Sequence, residues 1–112
     1  MSQITTHILD TSTGKPASGV LCMLQRPEGD SWQTIGQGET NSDGRVPDLL
    51  LEDELLEPGT YRMYFDTAAY FEAQSIEGFY PYVTIVFQTF DKTHYHVPLL
   101  LNPFGYSTYR GS

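Results

Sequence analysis

Three histidines, His7, His94 and His96, and one arginine set directly behind a glycine turn, Arg45, are the side chains of this sequence best suited to chemistry. Imidazole titrates near neutrality, so His7 and His96 can act as general base and orienter of an attacking water. The planar guanidinium of Arg45 can hold a flat, polar, anionic heterocycle and steady developing oxyanion charge. For any lone histidine, capping a strand edge or packing in the core is the plainer role. For an arginine in an acid-rich loop, the plainer role is a weak surface ion pair.

The same histidines allow a second chemistry. Residues two apart on a strand project to one side, so His94 and His96 could chelate a zinc ion with His7 as third ligand. Histidine pairs at this spacing also arise simply on exposed strands, and no carboxylate is visibly placed to support a metal, so the expectation is no metal and no cofactor. Ser12, Ser42, Ser107 and Cys22 lack any nucleophile elbow or triad setting. Gly14, Gly19, Gly36, Gly38 and Gly44 lie at turns of a β protein rather than before helices, which argues against a phosphate cradle.

Composition narrows the field further. A chain of 112 residues can bury one core covering roughly two-thirds of its unfolded surface, so a single domain over 1–112 is expected. An apolar fraction of 39% with eight Tyr and six Phe exceeds what a disordered tail carries. A net charge of -8 argues against nucleic acid as a partner. The acids crowd into Asp43, Asp48, Glu52, Asp53, Glu54 and Glu57, read as a solvated face. After Asp91 there is no further acid, while Lys92, His94, His96 and Arg110 follow, and an anionic ligand approaching a negative protein needs such a locally positive region. Cys22 stands alone, so an intrachain disulfide is impossible and a reducing compartment is permitted. No run of eighteen apolar residues occurs, and the start MSQITTH has no export character. A soluble cytoplasmic protein with no membrane association is the expectation.

Short stretches rich in β-branched and aromatic residues, separated by turn clusters, must position these groups. Residues 4–10 alternate, with Ile4, Thr6 and Ile8 on one side and Thr5, His7 and Leu9 on the other. Strands are predicted over 20–25 and 31–37, joined by a Pro-Glu-Gly-Asp turn, and a turn over 40–44 delivers Arg45 to a short or irregular strand. Residues 60–66 alternate Tyr61, Met63 and Phe65 against Arg62, Tyr64 and Asp66. One short helix is predicted over 67–75, capped by Thr67. Strands follow over 82–90 and 94–102, with Pro98 marking a bulge or an unpaired amide. The sequence Asn102-Pro103-Phe104-Gly105 fits a hairpin turn. The sum is an all-β, two-sheet antiparallel sandwich of seven to eight strands with one short helix.

The segment HILDTSTGKPASGV followed by GETNSDGRV resembles the opening of the transthyretin-like sandwich superfamily, and HYHVPLLLNPFGYSTYRGS looks like the signature of the 5-hydroxyisourate hydrolases. The resemblance spans Ile4 to Ser112. It implies that His7, Arg45, His96 and Ser112 are catalytic, and that His7, Arg45, Tyr109, Arg110 and Ser112 bind substrate. The hormone carrier transthyretin holds other residues at the catalytic positions and lacks the YRGS ending; Asn102, where a serine is common, is a departure confined to a turn.

The resemblance further implies a homotetramer built as a dimer of dimers, with tails Tyr109–Ser112 lining a channel where dimers meet. The implied reaction is hydrolysis of 5-hydroxyisourate, a small molecule of urate breakdown, to 2-oxo-4-hydroxy-4-carboxy-5-ureidoimidazoline. Ser112 would contribute its hydroxyl or a terminal carboxylate, with Arg110 offsetting that charge. Two other classes remain open: a non-catalytic carrier, which predicts an apolar channel lining, and a β-sandwich interaction module.

Overall fold

The computed structural model describes residues 2–112. Its elements run β1 (Ile4–Asp10), β2 (Lys15–Pro16), β3 (Leu21–Glu28), β4 (Ser31–Glu39), β5 (Arg45–Val46), β6 (Gly59–Phe65), α1 (Thr67–Glu72), β7 (Val83–Thr89), β8 (Tyr95–Asn102) and β9 (Gly105–Thr108). One sheet has the order β2-β1-β8-β9 with β5 also paired to β1, and the other has the order β4-β3-β6-β7. The antiparallel sandwich expected from the sequence is therefore the fold found; the short strand expected at Arg45 is β5, and the strand not expected is the two-residue β2.

Period-two alternation decides what lies between the sheets. Ile4 and Ile8 of β1, Leu24 of β3, Met63 and Phe65 of β6, and Leu99 and Leu101 of β8 are fully or almost fully buried in one cluster. Each such side chain contributes about 1.5–3 kcal/mol by leaving water. Among the described residues no helix is long and apolar enough to cross a membrane.

Three local features depart from the sequence reading or sharpen it. β1 and β8 pair in parallel, the one exception to the antiparallel rule, so the first long strand lies alongside one more than eighty residues away in the chain. The helix cap is Asp66, whose carboxylate accepts from the Ala69 N–H at 3.3 Å; Thr67 is buried and donates instead to the Tyr80 carbonyl at 2.9 Å. The helix stops at Glu72 because Ser75 adopts φ 58° and the Ile76 N–H turns back to the Phe71 carbonyl. Pro98 produces an interruption and no bulge. The β8–β9 ladder lapses after Leu99↔Thr108 and resumes at His96↔Gly111, three residues along each strand and so in the same register.

Candidate active site

β1 is the spine of the site. Its alternation turns Ile4, Thr6, Ile8 and Asp10 inward and leaves Thr5, His7 and Leu9 half-exposed on the outer face. The parallel register with β8 sets Thr5 beside His96, and the antiparallel register with β5 sets Arg45 opposite His7. Residues distant in sequence thus become neighbours through backbone pairing alone.

The turn before Arg45 is tightly built. The Asn41 side-chain oxygen accepts from the N–H groups of Asp43 at 2.9 Å and Arg45 at 3.1 Å, and the Asn41 carbonyl accepts from Gly44 at 2.9 Å. Gly44 has φ 74°, and its carbonyl receives the Ile8 N–H at 2.8 Å. A methyl group there would stand 2.5 Å from the Ile8 carbonyl oxygen, so the position combines a left-handed backbone with a close approach that only glycine permits.

The tail reaches the same place from the opposite edge. Thr108 donates its hydroxyl to the Pro98 carbonyl at 2.7 Å, and Gly111 donates its N–H to the His96 carbonyl at 2.9 Å. Tyr109, Gly111 and Ser112 then line a cavity of about 670 Å³ together with His7, Arg45, His94 and His96. Five of the six predicted site residues therefore meet in one cavity. Arg110 is the exception: its guanidinium lies 4.5 Å above the Tyr95 ring, and it lines a smaller neighbouring cavity of about 240 Å³. Alternation along the tail is the reason, since residues 109 and 111 share a side that residue 110 leaves.

No Asp or Glu lines the larger cavity, so a protein of net charge -8 presents there an arginine and three imidazoles. Burial pushes the His96 imidazole below its ordinary pKa of 6.5, and the charges of Arg45, His94 and His7 act in the same direction. His7 is lowered as well, first by burial and then by Arg45, partly countered by Asp43. Both shifts favour the neutral ring, the form able to accept a proton. The Thr5 hydroxyl lies 2.8 Å from His94 Nε2 and 2.8 Å from His96 Nδ1. Among the described residues no group of three or more His, Cys, Asp or Glu is gathered closely enough to hold a metal ion, so the three-histidine chelate suggested by spacing is not assembled.

Thr5, Thr6, Val46 and Pro47 also line the cavity and were not singled out from the sequence. Thr5 carried a readable signal, because it shares the outer face of β1 with His7. Gly111 belongs to the Tyr109–Ser112 tail that the resemblance set along the channel, and its close approach to the His96 ring is what the structure adds.

The HIUase/transthyretin family model matches residues 4–111. The mouse 5-hydroxyisourate hydrolase is 46% identical over 114 residues, covering 99% of this chain and 96% of its own length. The solved 5-hydroxyisourate hydrolase of Klebsiella pneumoniae superposes with a TM-score of 0.84 at 38% identity, covering 97% of this chain and 92% of that one. Sea bream transthyretin, solved in complex with thyroxine, gives a TM-score of 0.89 at 32% identity, covering 98% and 95%. With the sandwich, the outer-face cavity and a match over almost the whole length in agreement, the chain belongs to the HIUase/transthyretin family.

Proposed function

We propose that this chain, as one domain over residues 1–112, hydrolyses 5-hydroxyisourate at its N1–C6 cyclic amide bond to give 2-oxo-4-hydroxy-4-carboxy-5-ureidoimidazoline. The observation that carries this reading is the meeting of His7, His96 and Arg45 in one cavity that no Asp or Glu side chain lines. The neutral imidazoles of His96 and His7 orient and deprotonate the attacking water, a contribution of about 10²–10⁴-fold for well-placed general base catalysis. Arg45 stabilises the oxyanion that forms at C6. Tyr109 and Ser112, the latter through its hydroxyl or a terminal carboxylate, bind the polar edge of the ring. Arg110, stacked on Tyr95, holds the tail in place from outside the cavity.

The likeness to transthyretin supports a second reading, a carrier of an apolar aromatic ligand. Three histidines and an arginine in the lining speak for the hydrolase instead, because an apolar ligand gains nothing from burying them. A homotetramer built as a dimer of dimers is part of the proposal. β7 and β9 end their respective sheets and carry the exposed Val86 and Tyr106, which suits strand pairing with a second copy. A cytoplasmic setting agrees with Cys22 being buried and unpaired.

The deciding experiment generates 5-hydroxyisourate in place with urate oxidase and follows its ultraviolet absorbance with and without the protein, chelator present in both. Faster decay, lost in the His7→Asn and His96→Asn variants, is the expected result. Unchanged decay with folded protein overturns the hydrolase reading in favour of the carrier.

A further inference from the structure

A threonine hydroxyl has one proton to give, so a hydroxyl between two imidazoles couples their protonation. The Thr5 hydroxyl is 2.8 Å from His94 Nε2 and 2.8 Å from His96 Nδ1, and the two rings lie nearly parallel with centroids 6.3 Å apart. If Thr5 donates to His94 and accepts from His96, the His96 proton sits on Nδ1 and its Nε2 is bare. If Thr5 donates to His96, the proton sits on Nε2 and that nitrogen cannot act as a base. The occupancy of His96 Nε2 is therefore decided one hydroxyl away, by what His94 offers to Thr5.

We propose that Thr5 and His94 are positioning residues for the reaction: exposed His94 accepts a hydrogen bond from the Thr5 hydroxyl, which keeps the His96 ring proton on Nδ1 and leaves Nε2 free to take a proton from water. The direction of the relay follows from the surroundings of His96. Thr5 is its direct partner in the β1–β8 ladder, and the Thr5 backbone offers the His96 ring an acceptor that favours an N–H on the side facing Thr5. His94 and His96 both line the cavity, so the relay runs along its wall. Charged and titratable groups acting on His96 are Arg45, His94 and His7; of these only His94 shares a hydroxyl with it. This inference rests on the hydrolase reading for its consequence in catalysis, but the ring tautomer is an observable of the protein without substrate.

The test is ¹⁵N NMR of the histidine rings in the full chain at pH 7.5, beside the kinetics of 5-hydroxyisourate decay. The expected spectrum shows His96 protonated at Nδ1. Thr5→Val removes the hydroxyl at nearly constant shape, and His94→Ala removes the acceptor. Both are expected to move the His96 proton to Nε2 and to lower kcat about tenfold or more with KM little changed, because only the fraction of molecules in the competent tautomer reacts. Thr5→Ser restores the Nδ1 resonance and most of kcat, which a loss of packing would not allow. A parent spectrum with His96 protonated at Nε2, or variants in which the His96 ring shifts and kcat stay at parent values, overturns the proposal. A parent protein that shows the Nδ1 form yet leaves 5-hydroxyisourate decay unchanged overturns the reaction and leaves the relay standing.

Discussion

Gly111 and His96 are in contact twice: the Gly111 N–H donates to the His96 carbonyl at 2.9 Å, and a methyl group on Gly111 would stand 2.5 Å from His96 Cδ2. The hydrogen bond fixes the tail to β8 in register, and the missing side chain gives the imidazole its resting place. The tail and the candidate base thus set each other's position, although fourteen residues separate them along the chain.

Gly111→Ala is expected to displace the His96 ring by about an ångström, since the clashing atom belongs to a ring already held by Thr5. Misplacement of that size costs on the order of 10²-fold in rate. Thermal unfolding should change little, because the tail lies at the surface. Steady-state kinetics set beside a melting curve decide the point, and parent-like kcat in Gly111→Ala refutes it.

Acid should act on both rate and stability through the same two rings. His7 and His96 are lowered below 6.5, so their neutral, basic form persists past that pH and the acid limb of kcat/KM lies below 6.5. For stability, the unfolded chain binds the protons first as pH falls through 6.5, so the stabilising contribution is complete above 6.5 and is lost on the way down through the folded-state values. Melting temperatures measured from pH 7.5 to 5 should fall more steeply for the parent than for the doubly substituted His7→Asn/His96→Asn protein. Parallel slopes would rule this out.

Gly44→Ala and Gly14→Ala separate backbone strain from crowding. Both glycines have left-handed φ, 74° and 73°, yet an added methyl meets nothing within 4 Å at Gly14 and a backbone oxygen at 2.5 Å at Gly44. Gly14→Ala should cost roughly 1–2 kcal/mol, the penalty of the left-handed conformation. Gly44→Ala should cost more and also depress kcat, since the turn that holds Arg45 opposite His7 must open. Equal melting temperatures in the two variants would remove the crowding argument.

Tyr70→Phe tests a polar contact that belongs to the scaffold. The Tyr70 hydroxyl donates to the buried Asp10 carboxylate at 2.7 Å, and Asp10 also accepts from the Ser12 N–H and hydroxyl. Burial, followed by this hydrogen bond, pushes the Tyr70 phenol up to about 12. Removing the hydroxyl takes one of three donors from a buried acceptor, a loss of about 1–3 kcal/mol. It should leave kcat/KM intact, because neither residue lines the cavity. A large kinetic defect at full stability would show that α1 reaches the site.

Local chemistry made much of the scaffold legible before any coordinates. Alternation in residues 4–10 and 60–66 divided each strand into the two sides that the structure shows, because side-chain direction on a strand is a property of backbone geometry alone. The turn over 40–44 and the hairpin at Asn102–Gly105 were readable for the same reason, since Gly, Asn and Pro have strong intrinsic backbone preferences. The helix cap was missed by one residue: Asp66 and Thr67 are both good caps, and burial of Thr67 beneath the Tyr80 carbonyl chose between them.

By itself the sequence determined the two-sheet sandwich, the residues able to handle protons and charge, and, through resemblance, the family to which they belong. Tertiary structure alone decided which of them meet. The parallel pairing of β1 with β8 sets Thr5 beside His96, the β1–β5 pairing sets Arg45 opposite His7, and the resumption of the ladder beyond Pro98 brings Gly111 under His96 while turning Arg110 away. The physical reason is that strand direction and register between segments distant in sequence depend on how two buried faces pack together, a property of the whole core that no window of neighbouring residues contains.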